Sequence, residues 1–141
     1  MSRADNVSGK GVVHSSVAHD SAIKHVTGQA IYVDDIPEPA GLLHVYFGRS
    51  TCAHGEILSM DLSRVESCPG VVAVLTATDI PGANDISPMQ TQDEEILCSG
   101  EIHFYGQPLF AVAAESRDIA RRAVGLAHIE AQELPAILTI E

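Results

Sequence analysis

Glycine and proline divide this chain into short lengths, and that division limits its fold more than any other feature. Apolar runs are interrupted at Thr27-Gly28, between Pro37 and Gly41, at Pro69-Gly70, at Pro81-Gly82 and at Gly106-Gln107-Pro108. Each Pro holds the preceding residue extended, and each Gly supplies dihedrals that turns require. The runs in between are mostly of strand length. Leu43, Val45 and Phe47 alternate with His44 and Tyr46, which predicts a strand with one more buried face. In Ile57 to Leu62 the same period puts Leu58, Met60 and Leu62 on one face, opposite Ser59 and Asp61. Val71-Val72-Ala73-Val74-Leu75 is a continuous run rich in β-branched residues, expected to be a central strand covered on both faces. Glu101 to Tyr105 and Pro108 to Ala114 flank Gly106-Gln107 as a predicted hairpin, with Pro108 tolerated at the start of its strand. Short strands are also expected at Ala30 to Val33 and from about His128 to Ala131.

Helical patterns are fewer. Asp20 is placed to cap a turn over Ser21 to Val26, which Gly28 stops, and Ser63 to Ser67 is long enough for one turn. Ser116 caps the main helix, about 116–127, whose Ile119, Ala120, Ala123, Val124 and Ala127 share a face opposite Arg117, Asp118, Arg121 and Arg122. Ala83 to Gly100 lacks periodicity and is expected to be the most mobile loop. Residues 1–13 are small and polar and read as a flexible lead to a domain spanning 14–141. Because the chain stops at Ala136-Ile137-Leu138-Thr139-Ile140-Glu141 with no terminating signal, the natural protein is expected to continue. Strands outnumber helices without regular alternation, so the class is α+β with a mixed, mostly antiparallel sheet.

With 141 residues, 45% of them hydrophobic, one domain can bury a core without staples. Eight Lys and Arg against 19 Asp and Glu give a formal charge of -11, which repels phosphate backbones and anionic lipid, so neither nucleic acid nor membrane is an expected partner. No run approaches the roughly 20 apolar residues of a spanning helix, and the first residues lack the apolar stretch of a secretory leader, so the chain is expected to be cytoplasmic. Cys52, Cys68 and Cys98 are odd in number and far apart, which predicts free, partly buried thiols.

The search for chemistry assigns no catalytic, cofactor-binding or metal residue. Gly9-Lys10 lacks the upstream glycine of a phosphate loop, and Gly-x-Gly-x-x-Gly and Gly-x-Ser-x-Gly are absent. His14, His19, His25, His44, His54, His103 and His128 form no metal-ligand spacing. His44 and His103 read as outward strand residues, and His54 as a loop residue hydrogen-bonded to backbone. Asp34-Asp35 and Asp93-Glu94-Glu95 lie in loops, where surface charge is commoner than paired acid and base. Gly106-Gln107-Pro108 is compact enough to face a ligand or partner, and equally well explained as a turn.

Taken together, four segments resemble a known family. They are His25-Val26-Thr27-Gly28-Gln29-Ala30-Ile31-Tyr32-Val33-Asp34-Asp35-Ile36-Pro37, Ala53-His54-Gly55-Glu56-Ile57, Pro69 through Gly82, and Gly106-Gln107-Pro108-Leu109-Phe110-Ala111-Val112. In this order they resemble the α/β hammerhead domain that opens the molybdenum subunit of xanthine dehydrogenases and aldehyde oxidases, from about His14 to Glu141. The turns Asp34-Asp35-Ile36-Pro37 and Asp79-Ile80-Pro81-Gly82 favour the xanthine dehydrogenase branch over the carbon monoxide dehydrogenase branch. The resemblance implies hydroxylation of hypoxanthine and xanthine at molybdenum, with electrons passing through 2Fe-2S clusters to FAD and NAD. It places molybdopterin and the catalytic glutamate in later parts of the subunit, so no site residue carries over, and this domain supplies packing and subunit contacts. The short lead implies a split arrangement, with an iron-sulfur and FAD subunit as partner. Two alternatives stay open: a stand-alone scaffold of the same fold, and a small metal-binding protein using the histidines.

Overall fold

The computed structural model describes residues 16–89, 91 and 93–140. The expected flexible lead, 1–13, lies outside them. The chain divides into two compact units between Glu38 and Pro39.

In the first unit, helix α1 (Ala22–Thr27) ends at Gly28, whose φ of 72° is the left-handed value that a residue with a Cβ resists. The Thr27 hydroxyl donates to the Ile23 carbonyl at 2.7 Å. The cap position is Ser21 rather than Asp20, and no side chain caps it; Asp20 instead meets His19 Nδ1 at 3.0 Å. Ala30 to Val33 is not a strand. A 3-10 turn, Val33–Asp35, forms there because the Tyr32 N–H donates to Asp35 Oδ2 at 3.0 Å and satisfies locally what a neighbouring strand would otherwise supply. None of the described residues up to Glu38 is buried.

The second unit contains β1 (His44–Arg49), β2 (Gly55–Asp61), α2 (Ser63–Glu66), β3 (Val71–Leu75), β4 (Glu101–Ile102), β5 (Pro108–Ala114), α3 (Arg117–Val124) and β6 (His128–Glu133). The strands make two antiparallel three-stranded sheets, ordered β1-β5-β3 and β4-β2-β6. The α+β class expected from the sequence holds, with the strands shared between two sheets. The core gathers Phe110, Val112 and Leu109 of β5, Ile102, Val65, and Ala123 of α3. Ser116 caps α3 as expected, its Oγ accepting the Ile119 N–H at 3.2 Å, and the helix stops at Gly125, short of Ala127.

Four strand expectations are corrected in this unit. The 101–105 and 108–114 segments form no hairpin, because β4 pairs with β2 while β5 pairs with β1 and β3. The central strand is β5, and β3 lies at a sheet edge with Val72 and Leu75 exposed. A β-branched run reports strand propensity and not the number of neighbours. In β2 the register shifts between Ile57 and Ser59, so Ile57 and Met60 pack against the core and Leu58 is exposed. One added residue reverses the facing of everything beyond it. In β1 the expected buried set Leu43, Val45 and Phe47 is 41, 55 and 39% exposed, and the buried residue is Gly48, in phase with His44 and Tyr46.

Candidate functional site

The densest polar cluster in the second unit surrounds Ser50, which is buried just after β1. Its hydroxyl donates to the Phe104 carbonyl at 2.8 Å and accepts the Gly106 and Gln107 N–H groups at 2.9 and 3.1 Å. The Ser50 N–H donates to the Gln107 carbonyl at 2.9 Å. Gln107 is buried too, and its Oε1 accepts the His103 N–H at 2.7 Å. Gly106 has a φ of 86°, so the Gly106-Gln107-Pro108 segment is a turn tied from inside by two polar side chains. Sequence reasoning missed Ser50, since a lone serine in a connecting loop has no spacing that marks its partner 54 to 57 residues away.

His54 forms a second knot beside it. Its Nδ1 lies 2.8 Å from the Pro135 carbonyl and its Nε2 3.0 Å from Glu101 Oε1, while the Leu134 N–H donates to the His54 carbonyl at 3.0 Å. The backbone bond expected of His54 is therefore present, together with an ion pair to β4. The Pro135 carbonyl, and after it the Glu101 carboxylate, stabilise the imidazolium and raise the His54 pKa above its usual 6.5. The effect is to pin the segment leaving β6 to the loop before β2.

The remaining histidines disperse. His25 meets the Tyr32 hydroxyl at 2.8 Å in the first unit, and His128 lies 3.5 Å from Glu130. His14 lies outside the described residues, among which no three His, Cys, Asp or Glu side chains are grouped to hold a metal. The acidic candidates are also separated: Asp35 closes the turn after Tyr32, while Asp93 accepts from Thr91 and Glu95 from the Ser99 N–H and hydroxyl. Asp93, Glu94 and Glu95 line an open cleft of about 740 Å³ with His103, Phe104 and Gln107. Of these, Asp93 and Glu95 are carboxylates that close local turns. The loop expected to be mobile is tied near its ends, where Asn84 Nδ2 donates to the Leu97 carbonyl at 2.7 Å and the Leu97 N–H donates to Asn84 Oδ1 at 3.0 Å. A second cleft, about 380 Å³, runs beside Phe47, Arg49, Cys52, Phe110, Val124 and Ala127.

The three cysteines are free, as expected, with Cys52 and Cys98 buried and Cys68 half-buried. Burial pushes the Cys98 thiol up, and its Sγ donates to the Glu101 carbonyl at 3.2 Å, so it is a poor nucleophile. No helix among the described residues is long and apolar enough to cross a membrane. Several large apolar side chains, Phe47, Leu58 and Leu75 among them, are nevertheless exposed.

The model of the aldehyde oxidase and xanthine dehydrogenase a/b hammerhead domain matches residues 27–135. Over 129 residues, 92% of this chain, the sequence is 43% identical to a xanthine dehydrogenase of Oryza sativa subsp. japonica, covering 9% of that protein. It is also 43% identical over 126 residues to aldehyde oxidase 1 of Bos taurus, covering 89% of this chain and 9% of that one. The aldehyde oxidoreductase of Desulfovibrio desulfuricans superposes with a TM-score of 0.79 at 31% identity, over 89% of this chain and 15% of that one. This chain therefore spans about a tenth of the length of the curated relatives it matches. On the family match and these identities, the chain belongs to the aldehyde oxidase and xanthine dehydrogenase a/b hammerhead family.

Proposed function

We propose that this chain is the N-terminal structural domain, residues 14–141, of the molybdopterin-binding subunit of a cytoplasmic xanthine dehydrogenase. The assembled enzyme hydroxylates hypoxanthine and xanthine and passes electrons through 2Fe-2S clusters and FAD on a partner subunit to NAD. The observation that carries this reading is the 43% identity spread over 92% of the chain yet only 9% of a xanthine dehydrogenase. A piece so proportioned contributes structure to a larger catalyst.

Molybdopterin finds no fitting seat among the described residues. No buried side-chain nitrogen or oxygen there is left without a partner to offer it, and the glycines nearest the buried polar cluster are committed to turns and strand contacts. In this proposal the reaction belongs to other parts of the subunit, and this chain's own residues act by holding shape. The equal identity to bovine aldehyde oxidase 1 supports a second reading, in which the substrate is an aldehyde.

The test is purification of the tagged chain from its own cells. Recovery with molybdenum, iron and flavin and with xanthine-dependent NAD reduction supports the proposal, as does the absence of turnover in the isolated chain. Aldehyde-dependent turnover without xanthine activity selects the second reading. Recovery of the chain alone, without cofactors, refutes both and returns the stand-alone scaffold.

A further inference from the structure

The β1-β5-β3 sheet has two faces, and one is bare. On the inner face Phe110 and Val112 pack with Ala123 of α3. On the outer face, the register aligns two cross-strand rows, Val45–Ala113–Ala73 and Phe47–Ala111–Leu75. Both rows are wholly apolar. Val45 and Leu75 are 55 and 46% exposed and Phe47 is 39% exposed. Val45 and Phe47 on β1 and Leu75 on β3 thus stand beside Ala73, Ala113 and the buried Ala111, a shallow apolar trough that another layer can fill. The alternation in β1 is that of a strand with this face buried, yet no element of the second unit's described residues covers it. A soluble chain seldom leaves such a surface open unless something docks there.

We infer that this outer face is the seat of the downstream part of the same subunit's polypeptide, an inference that rests on the function proposed above. Two observations select that occupant over a second copy of the chain. Each copy carries a net charge of -11, so two copies repel as they approach. The relatives, about ten times longer, have chain to spare for this role.

The test co-expresses the tagged 141-residue chain with the remainder of its own molybdenum subunit as a separate polypeptide. Capture is compared for wild type, V45K/L75K, Phe47→Asp, and a control, Glu130→Lys, in the other sheet. Circular dichroism and cooperative unfolding check that each variant is folded. The expected result is that wild type and control retain the remainder while the outer-face variants lose about tenfold in apparent affinity. Hydroxyl-radical footprinting of wild type, which needs no variant to fold, should show Phe47 and Leu75 labelled in the chain alone and protected in the complex. Equal capture of all variants with Phe47 still labelled overturns the docking face but leaves the chain a domain of the subunit. Failure of wild type to capture the remainder, with a dimer that V45K/L75K dissolves, overturns the choice of occupant. Protection of Phe47 in the monomeric chain alone overturns the bare face itself. Failure of capture with an unprotected monomer overturns this inference and the functional reading together.

Discussion

Replacing Gly48 by alanine tests the packing of the central sheet at its tightest point. An added Cβ at Gly48 lies 2.0 Å from Phe110 Cε1 and 2.2 Å from Cζ, where carbon atoms normally stand about 3.5–4.0 Å apart. Gly48 and Phe110 are paired across β1 and β5, so the phenyl ring lies over the glycine. The ring is 1% exposed and packed into the core, so its retreat is confined to the cleft it lines with Phe47 and Cys52. Overpacking of this kind costs about 1–3 kcal/mol, and a contact this short belongs at the upper end. Alanine recovers about 0.5–1 kcal/mol in a strand by restricting the unfolded chain, which leaves a net loss of about 2 kcal/mol. That corresponds to a fall in Tm of roughly 8–16 °C for a unit of this size. Urea unfolding of wild type, Gly48→Ala, Phe110→Leu and the double variant measures both the loss and its origin. Phe110→Leu is destabilising alone but should relieve the added methyl, so the double variant should be more stable than the sum of the singles predicts, by about 1 kcal/mol or more. A Gly48→Ala protein within about 0.5 kcal/mol of wild type, or a strictly additive cycle, would refute the reasoning.

Ser50→Ala should lose about 1–2 kcal/mol in the same assay, because it removes the bond donated to the Phe104 carbonyl and leaves the Gly106 and Gln107 N–H groups only their backbone acceptors, the Ser50 and Phe104 carbonyls; a loss below about 0.5 kcal/mol would mean that water replaces the hydroxyl. His54 has a folded pKa above its unfolded 6.5, so its stabilisation is complete below pH 6.5 and fades as pH rises through the folded value. The stability difference between wild type and His54→Gln should therefore shrink between neutral and mildly alkaline pH, and a difference that grows instead would reverse the assignment. Alkylation of the native chain followed by mass spectrometry should label Cys68 first, with Cys52 and Cys98 labelled only on unfolding; early labelling of Cys98 contradicts its burial. Ser116→Ala should cost about 1 kcal/mol through loss of the cap on α3, measured by thermal unfolding.

What was legible in the sequence was what neighbours along the chain decide. Gly28 stops α1 and Ser116 starts α3 because left-handed dihedrals and a hydroxyl reaching three residues ahead are local properties. His54 was legible as a loop histidine bonded to backbone, but not the identity of Pro135 and Glu101 as its partners, which come together only when β6 and β4 flank β2. Family membership was legible as well, because it rests on the order of whole segments. Strand position was not: Val71 to Leu75 and Pro108 to Ala114 are both apolar, and only pairing makes the second central and the first an edge. The bulge that turns Leu58 outward has no residue signature in β2, since it arises from matching β2 to β6. By itself the sequence determined most element types, the stop of α1 at Gly28, the cap of α3 at Ser116 and the family, through short-range sterics and pattern. The tertiary structure alone decided which strands pair, that Ser50 and Gln107 tie the turn, and which face of the β1-β5-β3 sheet stays open, because side-chain period specifies that a face is apolar but not what lies against it.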